Sequence, residues 1–314
     1  MQSILHQIVG LKKEIHDLTG RVALVTGGAL GIGNEISQAF ALNGARMIMV
    51  SRKEEQGDAA IKQIKEESGH NAKIEWVRCD NGNFNEIKEV YTGIREREKR
   101  LDLLILDAGI NANKYGKTHD GIERLFQVNW LGNFYIENLL YPLLRKTSKL
   151  PHTPAPRIVF ECSEFAWAEE INDPSKDPAQ LYARTKPAII LGAKYGSLDR
   201  AIRPNGDGIY ALSVQPGADV YLGLVGKLLT TVMTTFSRSP EQGSFSALYA
   251  ATSPEVEENE WNGYYFADPG GPGKESTMAS DLELGSSLWN LSHRMIKGKV
   301  GDEGMVDWDV KVSV

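Results

Sequence analysis

Two short stretches carry residue types that do chemistry at spacings that matter. In LYARTKPAII, residues 181–190, Tyr182 and Lys186 stand four positions apart, which is one turn on a helix. A phenol with an ordinary pKa of ~10 is a weak base near neutrality, and an ammonium one turn away favours its ionised form. Such a pair suits proton transfer to or from a substrate oxygen. The same spacing also occurs in ordinary helices, so the pair alone decides nothing. In VTGGALGIGNEI, residues 25–36, Gly27, Gly31 and Gly33 follow the pattern G-x-x-x-G-x-G around Ile32, between an apolar run and a helical stretch. Backbone without Cβ turns tightly there and lets a pyrophosphate approach the positive end of the following helix.

Positioning these residues takes strands that end beside them. The runs RVALVT (21–26), ARMIMVS (45–51), AKIEWVRC (72–79), LDLLILDAG (101–109), RIVFEC (157–162), GIYALSVQ (208–215) and a short GYYFAD (263–268) alternate with helical stretches. Short apolar strands separated by helices pair in parallel through right-handed crossovers. The pattern predicts an α/β fold: a single doubly wound parallel sheet of about seven strands flanked by helices, a Rossmann fold. The expected organisation is a helical N-terminal extension over 1–18, one domain over 19–298 and a tail over 299–314.

Ligands of open parallel sheets bind at the C-terminal strand ends. The second strand ends in VSRKEE, which puts Ser51, Arg52 and Lys53 where an adenosine ribose would lie. A carboxylate there would accept from the 2′-hydroxyl of NAD, and none is present. A guanidinium matches phosphate oxygens, so NADP(H) is favoured over NAD(H).

Composition excludes several other classes. The 314 residues carry a net charge of −6, which argues against nucleic acid as the main partner. Two cysteines, Cys79 and Cys162, make a disulfide framework unexpected and suit a reducing, cytoplasmic setting. The six histidines are scattered, with no metal-ligand spacing. No apolar run reaches the ~20 residues that span a bilayer. The opening MQSILHQIVGLKKEIHD lacks the pattern of a secretion signal. Its apolar residues recur at helical spacing, which suits packing on the domain or, less simply, contact with a membrane surface.

Taken in order, these stretches resemble the short-chain dehydrogenase/reductase family over about residues 19–295. TGGALGIG is similar to its cofactor turn, and CDNGN sets Asp80 and Asn81 where the family's acidic residue flanks the adenine. DAG (Asp107, Ala108, Gly109) stands at the family's Asn-Asn-Ala-Gly motif, and DGIERLFQVNWLGNF supplies Asn129. IVFECS ends in Ser163 at the place of the catalytic serine, YARTK carries the Tyr182–Lys186 signature, and VQPG supplies Pro216 and Gly217. The stretch 120–134 and a late LW (288–289) look nearest to the retinol dehydrogenase and WW-domain oxidoreductase-like branch, catalytic domain only.

The resemblance implies an NADP-dependent enzyme that interconverts a carbonyl and an alcohol. Tyr182 would be general acid and base, Lys186 would also bond the nicotinamide ribose, Ser163 would donate to the carbonyl oxygen, and Asn129 would hold a water of a proton relay. Four departures stand out. Asp107 replaces an asparagine, Pro187 follows Lys186 and should bend the helix, and Tyr221 stands where relatives carry a threonine against the nicotinamide. The gap from Ser163 to Tyr182, 19 positions, is longer than usual. A lipophilic substrate is expected between the catalytic residues, the insertion and the apolar segment after Gly217. Phe165, Trp167, Leu222 and Val225 are the candidate lining, with Trp130 as a further aromatic. Two other readings stay open: non-redox elimination or isomerisation on the same fold, and a sensor that binds NADP(H) without turnover. A homodimer and a monomer are both compatible with the sequence.

Overall fold

Seven of the apolar runs become strands: β1 (Val22–Thr26), β2 (Arg46–Ser51), β3 (Ile74–Arg78), β4 (Leu103–Leu106), β5 (Arg157–Glu161), β6 (Tyr210–Val214) and β7 (Tyr265–Phe266). They form one sheet in the order β3-β2-β1-β4-β5-β6-β7, and every pairing is parallel. The computed structural model describes residues 15–111, 115–162, 178–216 and 238–309. The expected helical extension at the N-terminus lies largely outside them.

Helices fill the crossovers: α1 (Gly31–Leu42), α2 (Glu54–Glu67), α3 (Phe84–Arg97), α4 (Gly132–Ser148), α5 (Pro178–Leu191) and α6 (Pro240–Thr252); α7 (Leu282–Val300) follows β7. Alternate residues of each strand point to opposite faces and so build two cores. Leu24, Ile48, Leu104 and Phe160 pack with residues of α3, α4, α5 and α7, whereas Val25, Met47, Ile105 and Val159 pack with residues of α1, α2 and α6. The edge strand β3 is only half buried, and β1, β4 and β5 are buried throughout.

Two helices depart from regular α spacing beside the site. A turn at Arg124–Phe126 passes through a π-helical turn, Gln127–Leu131, before α4 begins. Helix α5 carries Pro187 in its interior and continues past Leu191 as a π-helical segment, Gly192–Ile202. Proline removes one backbone donor, and wider spacing within a helix absorbs such a defect.

Beyond α7, residues 301–309 pack back on α4. Tyr135 donates its hydroxyl to the Gly304 carbonyl, and the Asn138 side chain exchanges two hydrogen bonds with the Val306 backbone. Trp308 is 6% exposed and sits among the rings of Phe134, Tyr141 and Trp289. Trp130 is core as well: it is 1% exposed and its indole donates to Ser292. Its ring fills the space that a Cβ on Gly192 would need, so it does not line a substrate pocket.

Candidate active site

The sheet order reverses direction between β1 and β4, which opens a crevice at their C-terminal ends. The glycine turn lines one side. Gly27 and Gly31 have φ of +72° and +61°, a region that strains other residues. A Cβ on Gly27 would lie 2.9 Å from the Asp107 carboxylate, and one on Gly33 would lie 2.5 Å from the same oxygen. These two glycines make room for Asp107, whereas Gly31 faces open space. Ile32 packs against Gly243 of α6. Thr26 accepts a hydrogen bond from Ala108 N–H at 3.0 Å, which ties the end of β1 to the loop after β4.

Helix termini mark out where anions fit. Helices α3, α6 and α7 are capped by Asn83, Ser239 and Asp281 side chains. Helices α1 and α2, which begin at the crevice, have Leu30 and Lys53 at the cap position and no side-chain cap bond. Their first N–H groups are therefore left for solvent or a ligand. At the end of β2, Arg52 and Lys53 are exposed and form no ion pair among the described residues. Ser51 accepts a hydrogen bond from the Trp76 indole at 2.8 Å. These groups leave a positively charged, uncapped surface at the end of β2.

In the loop after β3, Asp80 accepts from Gly82 N–H at 2.9 Å, a bond that shapes the loop. Asn81 is buried, and its amide donates to Asn133 at 3.3 Å. Asn133 in turn donates to the carbonyls of Ala108 and Asn129. Asn129 sits in the π-helical turn, is 1% exposed and exchanges two hydrogen bonds with the Ile110 backbone. Its amide also reaches Thr185 at 3.3 Å, and the Thr185 hydroxyl donates to the Tyr182 carbonyl. This ladder joins the loops after β3 and β4 to α5. Asn133 and Thr185 are the members that pattern reading misses, although Asn129 and Asn133 stand at helical i,i+4 spacing. Gly109 lies against the Asn129 side chain.

Tyr182 and Lys186 share one side of α5. Lys186 is buried, donates to the Cys162 carbonyl at 3.3 Å and holds its ammonium 4.8 Å from the centre of the Tyr182 ring. Burial opposes its charge, but Tyr182, Cys162 and Glu161 together outweigh burial and raise its pKa above the ordinary lysine value. Pro187 does not turn it away: the Cys162 thiol donates to the Lys186 carbonyl at 3.2 Å and pins this turn to the end of β5. Pro216, which ends the described residues after β6, is buried and accepts from Arg238. Ser163, Phe165, Trp167, Gly217, Tyr221, Leu222 and Val225 lie outside the described residues.

Comparison with known proteins places the chain in a family. The short chain dehydrogenase family pattern matches residues 21–171. The WW domain-containing oxidoreductase of Gallus gallus is 33% identical over 309 residues, covering 91% of this chain and 70% of that protein. Human polyprenol dehydrogenase is 30% identical over 252 residues, covering 76% of this chain and 74% of that protein. Among solved structures, an uncharacterized protein from Mycobacterium paratuberculosis superposes with a TM-score of 0.69 at 24% identity, covering 92% of this chain and 98% of that one. The RhlG/NADP active-site complex of Pseudomonas aeruginosa superposes with a TM-score of 0.61 at 22% identity, covering 81% and 97%. Similarity of this extent shows that the chain belongs to the short-chain dehydrogenase/reductase family of oxidoreductases.

Proposed function

We propose that the chain is an NADP(H)-dependent oxidoreductase that interconverts a carbonyl and an alcohol on a small lipophilic substrate, with Tyr182 as general acid and base. The observation that carries this reading is the buried Lys186 ammonium beside the Tyr182 ring, at the edge of a crevice with two uncapped helix ends. The bound cofactor supplies or accepts the hydride. Gly31 and the first N–H groups of α1 would hold its pyrophosphate, and Ser51, Arg52 and Lys53 its 2′-phosphate. In this reading Asp80, Asn81, Ala108 and Gly109 would flank the adenosine side and the middle of the crevice, and Pro216 would meet the nicotinamide, as the family resemblance also implies for Gly217 and Tyr221.

Tyr182 gives its phenolic proton to the carbonyl oxygen in reduction and takes it back in oxidation. Lys186 stabilises the phenolate that forms, and Ser163 donates to the same substrate oxygen. Asn129 would carry the water of the proton relay. Similarity to a polyprenol dehydrogenase supports a lipophilic alcohol or carbonyl as substrate, and similarity to an NADP complex supports the cofactor.

Titration with NADPH and NADH, followed by a panel of lipophilic ketones and aldehydes, tests the reading. NADPH should bind more tightly and be oxidised, and Tyr182→Phe should bind it without turnover. Binding of NADPH without oxidation across the panel would shift the reading to non-redox chemistry on the same fold.

A further inference from the structure

The edge strand β3 carries one large side chain that the proposed chemistry does not use. Trp76 pairs with Met49 in register, two positions short of the strand end where Ser51 faces the ribose subsite. Its indole N–H donates to the Ser51 hydroxyl oxygen at 2.8 Å. The ring lies under Gly57 of α2, where any added Cβ would run into it. A glycine inside a helix costs about 1 kcal/mol relative to alanine, so this position favours the Trp76 ring at the expense of the helix.

Two consequences meet at one point. A serine hydroxyl that accepts from an indole has one lone pair spent and its proton directed elsewhere, so it faces a ligand mainly as a donor. A phosphate oxygen takes such a donor in a charge-assisted bond, which is stronger than the bond a neutral hydroxyl makes. The ring under Gly57 also fixes the first turn of α2, the turn whose N–H groups have no cap and which begins beside Arg52 and Lys53. Glu54 and Glu55 follow in that turn, so its tolerance for an anion depends on holding the donors in place.

We propose that Trp76 is a positioning residue for cofactor choice, selecting a 2′-phosphorylated nucleotide by fixing the Ser51 hydroxyl as a donor and the first turn of α2 beside it. This rests on the NADP(H) reading above. The test is calorimetric binding of NADPH, NADH and adenosine 2′,5′-bisphosphate to the full chain and to Trp76→Phe, Ser51→Ala and the double variant. Phenylalanine keeps an aromatic ring under Gly57 and removes the N–H together with part of the indole bicycle. NADPH and the bisphosphate should weaken about fivefold, the effect of one hydrogen bond, while NADH stays within about twofold. The double variant should lose no more than either single one, because both remove the same bond. Equal weakening of NADPH and NADH, or additive losses, would overturn the proposal. Should Trp76→Phe fail to fold, unchanged NADPH affinity in Ser51→Ala would overturn it equally. A wild-type chain that binds NADH as tightly as NADPH instead defeats the NADP(H) reading, before Trp76 enters.

Discussion

The Lys186 ammonium stands 4.8 Å from the centre of the Tyr182 ring and is anchored on the Cys162 carbonyl at 3.3 Å. The carbonyl at the end of β5 holds the ammonium in addition to its bond with Tyr182, so one anchor remains when the phenol is removed. Tyr182→Phe should therefore leave NADPH affinity within about threefold and lower turnover by roughly 10²–10⁴-fold, the usual worth of a general acid. Lys186→Met should lose turnover to a similar degree. Paired binding and single-turnover measurements separate the effects, and a Tyr182→Phe variant that keeps more than a tenth of wild-type turnover refutes the assignment. The raised Lys186 pKa also has a sign. Its stabilising contribution is complete below the ordinary lysine value and fades as pH rises through the higher folded value.

Asp107 places a carboxylate against Gly27 and Gly33, inside the turn that would receive a pyrophosphate. Like charges repel strongly where protein excludes water. Asp107→Asn keeps an acceptor and removes the charge, so NADPH affinity should rise about five- to tenfold, with a smaller rise for adenosine alone. Calorimetry at constant ionic strength measures both, and a weaker NADPH complex would mean that the carboxylate organises the turn.

Glu137 on α4 is 1% exposed and reaches Ser197, beside the Tyr141 ring. Burial pushes its pKa up to about 8, and the Ser197 bond opposes this only in part. A folded state that holds the proton more tightly than the unfolded chain loses stability as pH rises. Stability from this group should be complete near pH 4, fall up to about pH 8 and then level, by at most about 5 kcal/mol. Glu137→Gln should flatten that slope and raise the melting temperature at pH 8 by several degrees. Thermal melts from pH 5 to 9 decide it, and parallel curves for the two proteins would count against the assignment.

Gly192 faces the Trp130 ring with no room for a side chain. Gly192→Ala should cost about 1–3 kcal/mol by overpacking, although alanine is the better helix former. Denaturant unfolding measures it, and a neutral or stabilised variant would show that Trp130 can move.

Much of the fold was legible because parallel strands buried on both faces read as plain apolar runs. The glycine turn and the Tyr182–Lys186 pair were legible for a similar reason, since both depend on local spacing. The strands came out shorter than the runs that announced them: LDLLILDAG keeps only Leu103–Leu106 in the ladder, and its last residues turn into the crevice. Contacts between distant segments left no local pattern. The bonds Asn81–Asn133 and Asn129–Thr185 link residues 52 and 56 positions apart. Trp130 was misplaced because an aromatic in a motif-bearing stretch looks the same whether it faces a pocket or the core. Its partner Ser292 is 162 positions away. The pairing of Trp76 with Ser51 depends on strand register, which alternation alone does not disclose.

The segment over residues 301–309 lies across α4, with Trp308 set between Phe134 and Tyr141. It is translated after all seven strands. During synthesis the outer face of α4 therefore stays bare until the ribosome has passed residue 308. A nascent chain that has completed its sheet still shows those rings to the cell, and a chaperone has that interval in which to hold it. A stop codon before Trp308 would leave the same face open for the life of the molecule. Truncation there should appear as lost yield and aggregation, well before it appears as a change in chemistry.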